Sequence, residues 1–108
     1  MRIAFYAPMK PPDAPTPSGD RRMARLLIEA LRIGGHEVTL ASRFRSWSAD
    51  PARHAALRQA ACDETARLLR GYQAAAARDS RPELWFTYHL YYKAPDWIGP
   101  EVATALGI

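Results

Sequence analysis

A small α/β sandwich, with a three-stranded parallel sheet in the order 2-1-3 and helices on both faces, is the fold this sequence predicts. Three observations predict it. Short β-prone runs at residues 3–7, 38–42 and 84–88 alternate with longer stretches of helical character. The first run, Ile3-Ala-Phe-Tyr-Ala7, is apolar without alternation, which suits a strand covered on both faces. The first β-α-β unit is expected to cross over right-handed, and if the second helical stretch carries the chain back past the first strand, strand 3 lies beside strand 1.

Each element has a local reason. Pro8 ends the first strand, because proline cannot donate to a ladder. Five prolines (Pro8, Pro11, Pro12, Pro15 and Pro17) stiffen the loop that follows, which is longer than most strand-to-helix loops. Ser18 is a good N-cap, with Gly19 and Asp20 in the first turn. Met23, Leu26, Leu27, Ala30 and Leu31 follow at helical spacing and predict the buried stripe. Gly34-Gly35 predicts the helix end. Asp50-Pro51 reads as a cap and first helical residue. That helix is expected to run to about Arg78, with Leu57, Ala61, Leu68 and Tyr72 on one stripe and Gly71 as an interruption or bend. A third strand over 84–88 leads into an exit loop, His89 to Lys93, and a short helix is expected within 97–106.

Composition bounds the function. The 108 residues make one domain, and 48% apolar residues suffice for a core. Net charge is +4, and nearly all the cations are arginine, so anionic ligands fit as well as simple solubility does. Cys62 is the single cysteine; it excludes an internal disulfide, points to a reducing compartment and reads as a buried thiol. No leader-like or membrane-spanning run is visible, so the expected place is cytoplasmic, or peripheral at the inner face of a membrane. His36, His54 and His89 are isolated, no metal-ligand spacing exists, and no cofactor is expected. Dinucleotides are disfavoured because no G-x-G-x-x-G opens the first helix. One short cluster, Arg43-Phe44-Arg45 with Trp47, is weak evidence for nucleic acid, which is not the expected partner.

The order 2-1-3 places a topological switch point between strands 1 and 3. Ligands of such sheets bind in the crevice at the strands' carboxyl ends. The switch point brings together two stretches far apart in sequence. One is the start of the first helix, with Ser18, Gly19, Asp20 and Arg21. The other is the exit of strand 3, with Tyr88, His89 and Lys93. A helix N-terminus offers unpaired N–H groups and partial positive charge to an anion. Gly19 admits a phosphate close to the backbone, or serves helix-start geometry only. Arg21 and Arg22 either pair with an anion or sit in solvent. His89 either orients or deprotonates a hydroxyl, the one catalytic candidate, or is structural. Tyr88, Tyr91 and Tyr92 either stack on a sugar or base or pack.

In order along the chain, Arg2-Ile-Ala-Phe-Tyr-Ala-Pro8, Pro17-Ser-Gly-Asp-Arg-Arg22, Gly34-Gly-His-Glu-Val-Thr-Leu40 and Pro82-Glu-Leu-Trp-Phe-Thr-Tyr-His89 resemble the N-terminal half of GT-B fold glycosyltransferases of the retaining family 4 type. The resemblance implies a Rossmann-like acceptor-side domain that faces a second half across a cleft. It also implies transfer of a sugar from a nucleotide-sugar donor to an acceptor hydroxyl. Gly19 matches the second glycine of the family's diphosphate loop, and Ser18 replaces the first. Tyr88 stands where the family often has histidine, with His89 one place later. The resemblance further implies that the 108 residues are a fragment, inactive without the missing C-terminal domain. The strand expected to pair with strand 3 is then absent too, and the open edge at 84–88 predicts a homo-oligomer. The alternative is a stand-alone α/β module that binds a phosphorylated ligand or a protein partner.

Overall fold

The central strand, β1 (Arg2–Tyr6), is buried because its side chains are apolar on both faces: Ile3, Ala4, Phe5 and Tyr6 are almost wholly inaccessible. It pairs in parallel with β2 (Glu37–Ser42) on one side and β3 (Leu84–Thr87) on the other, so the sheet order is β2-β1-β3, as expected. In register, Ile3 lies opposite Val38 and Leu84, and Phe5 lies opposite Leu40 and Phe86. The computed structural model describes all 108 residues.

Alternation along β1 divides the core. Ile3, Phe5 and Ala7 pack with Val38 and with Ala24 of α1 (Gly19–Ile33) on one face. Ala4 and Tyr6 pack on the other with Ala61 and Leu68 of α2 (His54–Gln73) and with Ile98 and Val102 around α3 (Gly99–Leu106). The result is a small Rossmann-like α/β sandwich with helices on both sides of a three-stranded sheet. The Tyr6 hydroxyl reaches the Phe44 carbonyl at 3.0 Å. Burial, and then the nearby Asp96 and Glu64 carboxylates, push its pKa up, so it stays a neutral donor.

The helices correct several expectations. Helix α1 starts as predicted: the Ser18 Oγ accepts the Arg21 N–H at 3.1 Å. It ends in a Schellman motif, with His36 N–H on Leu31 O, Gly35 N–H on Arg32 O, and Gly35 at φ +90°. Its buried side, however, is Ala24 with the half-buried Leu27, Ile28 and Leu31; Met23, Leu26 and Ala30 are exposed. Two overlapping stripes were available in the sequence. The one centred on Ala24 won because a methyl side chain lets the helix sit close over Ile3 and Phe5.

Helix α2 is shorter than expected. Asp50 does cap the chain, its Oδ1 accepting the Ala52 N–H at 3.0 Å, but the first turn, Pro51–Arg53, is 3₁₀. Gly71 lies within the helix and does not break it. The break comes at Ala74, which is extended (φ −59°, ψ 140°), and a 3₁₀ turn over Ala75–Ser80 follows. Arg81 explains part of this, since its side chain caps the Tyr72 carbonyl. Cys62 is exposed rather than buried, because the sheet-facing stripe runs through Ala61, Thr65 and Leu68, one position to its side.

Many arginines serve as backbone staples rather than as free cations. Arg25 donates to Pro12 O, Arg32 to Val38 O, Arg45 to Met9 O and Arg2 to Arg81 O, at 2.7–2.9 Å. Arg43 pairs with Asp13 at 2.5 Å. Three of these contacts, with Ser46 N–H on Pro8 O at 3.0 Å, hold the Pro-rich loop in place. The excess of arginine over lysine follows, since a fork of fixed donors suits carbonyl capping. No helix is long and apolar enough to cross a membrane.

Candidate functional site

The β1–β3 switch point carries two loop ends together, as the order 2-1-3 requires. β1 leaves toward α1, and β3 leaves through a left-handed turn at His89, φ 63°. Few residues other than glycine adopt this conformation, although histidine is among those enriched there. The turn brings the imidazole to α1: His89 Nδ1 contacts Asp20 Oδ1 in a short hydrogen bond. Tyr88 lies beneath, its N–H on Tyr6 O at 2.9 Å and its ring stacked on Phe5 at 6.3 Å. Partial burial, and then the Asp20 carboxylate, raise the Tyr88 pKa, which keeps this hydroxyl protonated as well.

At the start of α1, the Ser18 side chain satisfies one of the N–H groups that a helix leaves orphaned, and the first regular helix bond closes on the Ser18 carbonyl. Arg21 N–H goes to Ser18 Oγ and Arg22 N–H to Ser18 O. The Gly19 and Asp20 N–H groups have no acceptor in the chain. A Cβ placed on Gly19 would meet no atom of the protein within 4 Å. Gly19 is therefore demanded neither by packing nor by a left-handed backbone, and what its bare Cα leaves open is approach from outside. Two shallow depressions flank this step and share Ser18. One, of about 470 Å³, adds Gly19 with Arg21, Arg22 and Arg25; the other adds Asp20 with Lys10, Arg45 and Trp47. Cations thus surround the two free N–H groups, although Arg25 and Arg45 are already tied to carbonyls. The Nε of Arg21 is enclosed without a partner, as is the Oδ2 of Asp20.

The structure therefore joins Ser18, Gly19, Asp20 and Arg21 in one turn and sets Tyr88 and His89 against it. Lys93 places its Nζ 5.5 Å over the exposed Tyr92 ring. Tyr91 forms an edge contact with Tyr92 at 4.7 Å and an isolated bridge with Ala94 that folds the loop on itself.

One polar cluster escaped the sequence reading. Asp96 Oδ1 accepts the N–H groups of Ile98 and Gly99, at 2.9 and 2.7 Å, and so holds the entry to α3. Its Oδ2 accepts from Thr87 Oγ1 at 2.5 Å and from Trp85 Nε1 at 3.1 Å. A carboxylate just ahead of a Gly-Pro helix start is the signal that could have revealed the first role; nothing local reveals the second. The cluster ties β3 to α3. The far edge of β3 carries no strand of this chain.

Comparison of the chain with protein-family models, with curated proteins and with solved structures gave no match.

Proposed function

We propose that this chain is the acceptor-side half of a retaining glycosyltransferase, and that the start of α1 receives the diphosphate of a nucleotide-sugar donor. One observation carries the reading. At the switch point of a Rossmann-like sheet, the N–H groups of Gly19 and Asp20 are free, and the position between them and Ser18 has no side chain to block it. The resemblance of residues 2–8, 17–22, 34–40 and 82–89 to the family supports the same assignment. In this reading a second Rossmann-like half faces the carboxyl edge and holds the nucleotide. The 108 residues alone bind the diphosphate weakly and turn nothing over.

Gly19→Ala separates ligand binding from folding. Its φ is not in the left-handed region and the added methyl meets nothing, so the variant is expected to be as stable as the parent or about 0.4–1 kcal/mol more stable. Alanine keeps the backbone N–H, but its methyl holds the anion off the Gly19 and Asp20 donors, and inorganic pyrophosphate binding, measured by calorimetry, is expected to weaken by roughly ten- to a hundredfold, the worth of one charge-assisted hydrogen bond lengthened out of reach. Unchanged affinity in a well-folded Gly19→Ala would remove α1 from the donor site.

A further inference from the structure

Asp20 and His89 come from opposite ends of the molecule's sequence, 69 positions apart, and meet at the carboxyl edge of the sheet. Neither is placed there by packing alone. His89 holds a left-handed backbone that a β-exit does not require of a non-glycine residue. The Asp20 side chain is only 15% exposed, yet its Oδ2 has no partner. Conformational strain and a half-satisfied carboxylate at one contact mark a place arranged for something other than stability.

The chemistry of the contact sets the state of the ring. A carboxylate can only accept, so the proton of the neutral imidazole lies on Nδ1. The other nitrogen, Nε2, makes no hydrogen bond within the chain, and the side chain is 37% exposed. Tyr88 and Tyr91 flank the ring at 5.7 and 6.1 Å between centroids. Nε2 is then a bare acceptor on a ring that meets the first turn of α1 at Asp20. An ionised phosphate oxygen has no proton to give it; an alcohol hydroxyl does.

We propose that Asp20 and His89 form a carboxylate–imidazole dyad in which Asp20 is the positioning residue and His89 Nε2 accepts a hydrogen bond from a sugar hydroxyl. The identity of the ligand rests on the glycosyltransferase reading; the tautomer does not. The work divides at this edge: backbone N–H groups take the anionic part of a ligand, and the imidazole takes its hydroxyl part.

Long-range ¹H–¹⁵N spectra of the histidine rings in the full 108-residue chain, above the imidazole titration, test this directly. His36 supplies an internal contrast, because the N-terminal ammonium donates to its Nδ1 at 3.1 Å and favours the proton on Nε2. His89 is expected in the opposite form, with Nδ1 protonated and Nε2 bare. Asp20→Ala is expected to abolish that preference while His36 keeps its own. Asp20→Asn is expected to retain it, because an amide oxygen accepts the same proton. A protonated Nε2 in the parent chain, or an unaltered tautomer in Asp20→Ala, would overturn the dyad. Methyl glucoside is then expected to shift the His89 Nε2 resonance, and pyrophosphate to shift the Gly19 and Asp20 amides. Response of Nε2 to pyrophosphate alone, or to neither probe, would overturn the hydroxyl assignment. Silence of the Gly19 amide with pyrophosphate would instead defeat the proposed function and leave the dyad standing.

Discussion

Phe5→Ala is expected to lower stability by about 3–5 kcal/mol. Phe5 is fully buried in the middle of the central strand. Its ring stacks on Phe86 at 5.3 Å and on Tyr88 at 6.3 Å, and it closes the face covered by α1 through contacts with Ala24 and Val38. An alanine leaves a cavity bounded by two aromatic rings and two rigid backbones, which collapse poorly. Against a total of about 5–15 kcal/mol for a domain, the loss brings the chain close to unfolding at room temperature. Urea denaturation is the measurement. A fall of less than about 1 kcal/mol would mean that this face is not packed as described. The consequence reaches the site, because Phe5 supports Tyr88, the residue before His89.

Gly99→Ala is the second large effect and acts by overcrowding. A Cβ at this position would lie 2.3 Å from Asp96 Oδ2 and 2.3 Å from Trp85 Nε1. Neither atom can yield freely. Asp96 is held by the Ile98 and Gly99 N–H groups and by Thr87, and the Trp85 indole is held by Thr87 and Asp96. The expected cost is about 1–3 kcal/mol. At roughly 4–8 °C per kcal/mol for a domain of this size, the thermal midpoint falls by several degrees or more. Thermal unfolding by circular dichroism reads it. An unchanged midpoint would show that the Trp85–Asp96 contact is loose and that α3 is not clamped to β3.

The strands were legible because burial on both faces leaves a compositional mark: Ile3 to Ala7 could be little else. The order 2-1-3 rested on the condition that the second helix carries the chain back past strand 1, which it does. Cap chemistry at Ser18, Gly34-Gly35 and Asp50 was legible for the same local reason, since each acts within a few residues of itself. The buried stripe of α1 was not, because Met23 and Leu26 outrank Ala24 in hydrophobicity, whereas close helix-to-sheet approach rewards the smaller side chain. Cys62 failed likewise: the facing stripe is set by the sheet, not by the thiol. The arginine excess looked like an invitation to anions, yet Arg2, Arg25, Arg32 and Arg45 are spent on carbonyls that only the folded loops present. At the candidate site, the switch-point rule placed Ser18 to Arg21 near Tyr88 and His89 but could not set the pairing of Asp20 with His89. That contact depends on a left-handed turn, which no neighbouring residue announces. Lys93 was grouped with these residues by proximity in sequence; its contact with the Tyr92 ring had no local signal.

The central claim is that the start of α1 is a diphosphate site. Titration of the uniformly ¹⁵N-labelled chain with inorganic pyrophosphate, followed at every backbone amide, tests it most directly. The Gly19 and Asp20 amides are expected to move first and farthest, with saturation, and the His89 amide to follow through its contact with Asp20. Shifts that are absent there, or that centre instead on Arg25, Arg32 and Arg43, would contradict it.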